Sequence, residues 1–203
     1  MKALGKGSVA SIVKVGLNIA WVILWIALGG LIIAALGYAG LLAAISAGYV
    51  DANILTGGGG DIRVGDSDGS NFNITYDEPG GATWPVVVPA LMIGAVVIVG
   101  GLVIVRRLGK LFDSFTSGEP FRRENATHLR YIWIAMLVIE LARYVLFALT
   151  GVLLAAFGTP EGTTAKFEAD IDLTNWMAIL VLIVLAEVFR EGARLKEEQE
   201  LTI

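Results

Sequence analysis

Hydrophobic positions fall into four long runs separated by polar segments. The first, residues 15–50, is interrupted by Asn18 and Ser46 only. At about 1.5 Å per helical residue it outreaches the roughly 30 Å hydrocarbon core of a bilayer. One reading is a single long helix whose span lies near residues 17–40. The other is two spans folded at Gly29-Gly30 or between Gly37 and Gly40. A hairpin inside lipid needs a polar turn for its freed backbone groups, and the sequence offers none, so one helix is expected. Residues 86–105 supply twenty positions without a charge. Pro85 and Pro89 are expected in the first turns of that helix, where a missing N–H costs little. Residues 131–157 and 173–189 complete the set. The pattern predicts an all-α integral membrane protein, one domain of four transmembrane helices, with spans of about 17–40, 86–105, 131–157 and 173–189. Between helices 1 and 2, residues 51–84 form a loop with two β-like pieces, 61–64 and 71–76, around a Gly/Asp/Ser turn.

Charge gives these helices a direction. Only 17% of the 203 residues are charged and 56% are hydrophobic, with mean hydropathy +0.73. Soluble domains carry about 25% charged residues. The net charge of −4 hides a segregation of signs. Lys2, Lys6 and Lys14 precede the first run with no acid among them, and the linker 106–130 holds six Lys/Arg against three acids. The loops 51–84 and 158–172 each hold one basic residue, Arg63 and Lys166, among several acids. Cytoplasmic flanks carry the excess of Lys and Arg. Both termini, the linker and the tail 190–203 are therefore expected in the cytoplasm. A fifth span would invert the linker. The stretch around Ala44 to Gly48 resembles a signal cleavage site, but the apolar region exceeds the ~7–15 residues of a signal core, so a retained anchor is expected.

Candidate chemistry is sparse. The absence of cysteine and the single histidine, His128, exclude thiol catalysis and multi-histidine metal sites. No nucleophile–base–acid set converges, and TGGGGD lacks the lysine of a phosphate loop. No catalytic, cofactor or metal residue is expected, and no enzyme. Residues 66–71 have only a faint calcium-loop look, without the later ligands. Glu140 and Arg143 stand near the middle of the third span at i,i+3 spacing, one face of the helix. They form either a self-neutralised pair or a polar site for a small transporter or an ion- or proton-coupled component. Small residues recur every fourth position from Ala35 to Ala47, a ladder that permits close helix approach.

The linker has its own pattern. Leu108, Leu111, Phe112 and Phe115 share a helical face. Gly118 and Pro120 should end that helix, Phe121 anchors the turn, and Asn125 or Thr127 is a candidate cap for the next. Arg122, Arg123 and Arg130 lie at headgroup level, where anionic lipid attracts them.

Two stretches, LFDSFTSGEPFRRENATHLRYI and LAEVFREGARLKEEQELTI, resemble the linker and terminal signatures of a bacterial membrane family, domain of unknown function 2975. The linker motif falls on Phe115, Gly118, Pro120, Phe121, Asn125, Leu129 and Arg130. The tail motif falls on Phe189, Gly192, Leu195, Glu198 and Thr202. The long first loop departs from the family pattern. The resemblance implies a multi-pass protein of the bacterial inner membrane, often encoded beside a small helix-turn-helix regulator, and no established activity. The expected role is a non-enzymatic regulatory or scaffold protein that binds such a regulator and makes no direct contact with nucleic acid. Homo-oligomerisation is left open. The candidate partner surface is Phe112, Phe115, Gly118, Pro120, Phe121, Asn125, Arg130, Phe189, Gly192 and Leu195.

The orientation is testable because the chain lacks native cysteine. Single cysteines at Ser117 and Thr202 should react with a membrane-impermeant maleimide only after permeabilisation, and those at Ser67 and Thr164 in intact cells. Labelling of Ser117→Cys in intact cells would reverse the orientation.

Overall fold

The computed structural model of the chain describes residues 9–55, 62–64, 72–76, 83–117, 122–157, 163–165 and 173–200. Four long helices dominate: α1 Val9–Ser46, α2 Trp84–Thr116, α3 Arg123–Phe157 and α4 Leu173–Glu200. All four are long and apolar enough to cross a membrane. The chain is a multi-pass helical membrane protein. At ~1.5 Å per residue, α2 and α3 reach about 50 Å, so each extends beyond a ~30 Å hydrocarbon core.

The first run is one helix of 38 residues, continuous through Gly29-Gly30 and Gly37 to Gly40. Its end is encoded at Gly48, whose φ is +76°. The Gly48 amide donates to the Ile45 carbonyl and the Tyr49 amide to the Ala44 carbonyl, both at 3.0 Å. This pairing satisfies the last free carbonyls and needs a left-handed residue, which glycine supplies without Cβ strain. The outer face of α1 is an apolar sheath: Ile26 and Ile33 are about 70% exposed. Such a surface suits lipid and not water.

The helix starting at Trp84 begins earlier than the expected span. The Thr83 carbonyl accepts from the amides of Val86 and Val87, so Pro85 removes no helical bond. Pro89 lies at the sixth helical position, in the second turn.

The helices cluster into two compact units. One comprises residues 1–28, 97–140 and 174–203. Within it, α1 and α2 run antiparallel: Lys14 pairs with Asp113, and Leu24 packs over Gly101. α3 runs antiparallel to α2, since Asn125 meets Ser114 and Ile139 meets Gly100. The other unit comprises residues 29–96 and 141–173. Its core joins Ile93, Leu146 and Phe147, with Tyr144 packed against them. There Leu31 lies 3.2 Å from where a Cβ on Gly94 would stand. Trp84 meets Phe157 edge-on at 4.8 Å.

The same unit carries a small antiparallel sheet in the order β1-β2-β3, formed by Ile62–Val64, Phe72–Tyr76 and Thr163–Ala165. Ile74 pairs with both Ile62 and Ala165, so the loop before α2 is joined to the loop after α3. The pattern of residues 158–172 gave no sign of this third strand.

The α1 small-residue ladder does not carry the close contacts. Ala39, Ala43 and Ala47 are exposed, and a Cβ on the neighbouring Gly37 or Gly40 would meet nothing within 4 Å. In α2, a Cβ on Gly100 would fall 2.5 Å from Cδ1 of Ile139. Gly100→Val should lower stability by about 1–3 kcal/mol through overpacking, read as thermal unfolding in detergent. Ile139→Ala in the same chain should restore part of the loss. Gly37→Ala should leave the transition unmoved or raise it.

Candidate functional site

The unit formed by residues 1–28, 97–140 and 174–203 gathers the polar side chains of the linker at one end. Asn125 lies three residues into α3 and is 1% exposed. Its side-chain amide donates to Oγ of Ser114, itself 6% exposed, at 2.6 Å. A buried amide or hydroxyl without a partner costs about 1–3 kcal/mol, and pairing them removes that cost. This clamp joins the last turns of α2 to the first turn of α3.

Two expectations are corrected here. Asn125 does not cap α3, because the Arg122 carbonyl accepts from its amide at 3.0 Å and the helix starts two residues earlier. Thr127 is also interior to the helix. Nor can Asn125 belong to an exposed partner surface, since burial against α2 removes it from solvent.

Nearly two turns further along, Arg107 lies with its guanidinium 4.0 Å from the ring centroid of Tyr131. The same guanidinium is 3.5 Å from Nδ1 of His128. His128 precedes the apolar segment 131–157. Its pKa is lowered by burial, then by the charges of Arg107 and Lys110, with Glu124 opposing. A neutral imidazole suits this place, because a protonated ring would face Arg107 as a like charge.

Phe115 joins the linker to the tail. Its ring stacks at a tilt on Phe189 of α4, 6.0 Å between centroids, and edge-on against Phe112 at 5.8 Å. Around this cluster, Gly192 is half-buried, Leu195 is 50% exposed and Arg130 is exposed. Gly118, Pro120 and Phe121 lie outside the described residues, as do Thr202 and the calcium-like stretch 66–71. Ion pairs Glu187–Arg190, Glu191–Arg194 and Arg194–Glu198 run along α4. Exposed i,i+3 and i,i+4 pairs add a few tenths of a kcal/mol each and keep the projecting tail helical. Leu129 is 1% exposed and serves the core.

Two grooves flank the cluster. Between α1 and α2, Lys14, Trp21, Arg106 and Lys110 line a cavity of about 230 Å³. Lys14 reaches across it to Asp113 at 2.5 Å. Between α3 and α4 a cavity of about 400 Å³ holds Arg123, Arg130, Trp133 and Arg190. Sequence reasoning placed Arg123 and Arg130 at headgroup level but missed the groove they share with Arg190, which exists only because α4 lies beside α3.

Glu140, in α3, is 3% exposed. Arg143 is half-buried one turn later in the same helix. Among the described residues, no cluster of three or more His, Cys, Asp or Glu could hold a metal ion.

A family model described as "Protein of unknown function (DUF2975)" matches residues 73–203, a range that contains α2, α3 and α4 and leaves α1 outside. No curated protein and no solved structure matches the chain.

Removing one partner of the clamp should be worse than removing both. Asn125→Ala leaves a buried hydroxyl and should cost about 1–3 kcal/mol. Ser114→Ala together with Asn125→Leu should recover much of the loss in thermal unfolding. Equal melting of all three proteins would remove the clamp from any structural role.

Proposed function

The chain belongs to the DUF2975 family, and on that footing we propose that it is a non-enzymatic protein of the bacterial cytoplasmic membrane that docks a soluble cytoplasmic protein. The observation that carries this reading is the stacking of Phe115 on Phe189. It brings together the two stretches on which the family resemblance rests, one before α3 and one at the end of α4. The excess of Lys and Arg in the linker supports a cytoplasmic position for both. Phe112 flanks the aromatic pair, and Leu195 adds exposed apolar surface one turn or so beyond it. Rigid aromatic and aliphatic knobs on a charged helix are what interface hot spots are built from. The ion pairs of α4 supply the charged rim.

The partner proposed is a small helix-turn-helix regulator, as the resemblance implies. Binding at the membrane would hold the regulator away from DNA without the membrane protein touching nucleic acid. The alternative of an ion or proton pathway is weaker. Among the described residues Glu140 is the one buried acid, whereas a proton relay uses a chain of such groups.

The test is co-purification of a small helix-turn-helix regulator with the full-length protein from native membranes. Phe189→Ala, and separately removal of residues 195–203, should reduce recovery of the regulator tenfold or more while the protein still fractionates with membranes. Full recovery with both variants would exclude the linker–tail surface as the docking site.

A further inference from the structure

The groove between α3 and α4 has the chemistry of an amphiphile's two ends. On α3, Arg123, Arg130 and Trp133 are spaced seven and three residues apart, so they form one stripe along the helix. On α4, Ile183, Ala186 and Arg190 form the facing stripe. The arginines stand toward the polar end of both helices, and Trp133 with Ile183 toward the apolar middle. Ile183 is 42% exposed, so the apolar end of the groove is open to the surroundings.

The charge balance points to an anion. Three arginines and one acid, Glu187, line the cavity, for a net of about +2 at neutral pH. Glu187 pairs with Arg190 three residues along the same helix. That pair lies along one wall and does not bridge the groove, unlike Lys14 and Asp113 between α1 and α2. Among the described residues, neither Arg123 nor Arg130 forms an ion pair. Guanidinium groups match phosphate oxygens in bidentate geometry. A cavity of about 400 Å³ falls within the roughly 300–1,000 Å³ of small-ligand sites.

We propose that the α3–α4 groove binds one anionic glycerophospholipid, its phosphodiester between Arg123 and Arg130 and the start of an acyl chain along Trp133 and Ile183. The shared chemistry is a phosphate anion, and the apolar floor below the arginines selects a lipid over free phosphate. A site of this kind is distinct from a diffuse attraction of basic residues to the membrane surface, because it has walls on two helices. It also lies beside the docking surface without needing it: Phe115 and Phe189 do not line the groove.

The experiment uses the full-length protein in detergent, titrated with phosphatidylglycerol, phosphatidylcholine or inorganic phosphate, with bound species read by native mass spectrometry. The unmodified chain should retain phosphatidylglycerol, and R123Q/R130Q should lose at least tenfold in affinity with helix content unchanged. Phosphatidylcholine and inorganic phosphate should fail to displace it at equal concentration. Unchanged affinity in R123Q/R130Q, or equal binding of phosphatidylcholine, overturns the proposal. Displacement by equimolar phosphate overturns the lipid assignment and leaves a free-anion site. A second measurement needs no variant: binding of phosphatidylglycerol to the unmodified chain should weaken as salt is raised, and binding insensitive to salt would rule out the arginine clamp.

Discussion

The register of α2 against α3 is the constraint from which the described site follows. Two long apolar helices can slide past each other in lipid at little cost, because lipid tails match leucine in polarity. A buried pair of polar side chains removes that freedom. Ser114 and Asn125 are both enclosed and meet at 2.6 Å; a shift of one residue would separate them. Fourteen residues before Ser114 stands Gly100, and fourteen after Asn125 stands Ile139, which pack on each other. The equal intervals show that the register set at the connection persists along the pair. Arg107 and Tyr131, between these points, meet at 4.0 Å for the same reason.

With that register fixed, the neighbouring residues have little choice. Phe115 follows Ser114 and, with Ser114 turned to α3, presents its ring to α4 and Phe189. Asp113, one residue earlier, reaches Lys14 of α1. Three consecutive residues of α2 thus address three different helices, as the ~100° step between successive helical positions allows. Arg123 and Arg130 take no part in this arrangement. They remain available for solvent, headgroups or partners, beside a surface of Phe112, Phe115, Phe189 and Leu195.

The elements were legible in the sequence and their neighbours were not. Long apolar runs without polar turns can satisfy their backbone in lipid only as helices, which is why α1 could be read as one piece despite Gly29-Gly30. The position of Asn125 was misread because asparagine near a helix start usually caps it; only the nearness of Ser114, eleven residues earlier and across a turn, reveals the clamp. The alanine ladder of α1 looked like a packing face, whereas the close approaches belong to Gly94, Gly100 and Gly101 of α2. A glycine's use depends on what faces it, which spacing within one helix does not encode. The same reason hid Phe189 beside Phe115 and the arginine groove between α3 and α4. The strand Thr163–Ala165 is three residues long, too short for alternation to register.

The division between apolar and polar packing bears on what the molecule can do. In the unit of residues 29–96 and 141–173, the buried core is aliphatic and aromatic, and buried Thr150 returns its hydroxyl to the Leu146 carbonyl of its own helix. That arrangement anchors helices. In the other unit, hydrogen bonds, the cation–π contact and an aromatic pair converge within residues 107–131 and the start of the tail. Contacts that tie three helices together therefore meet where α2 turns into α3 and α4 passes beside them. The residues that converge here are a structural amide, stacked rings and guanidinium groups, and each ties one helix to the next.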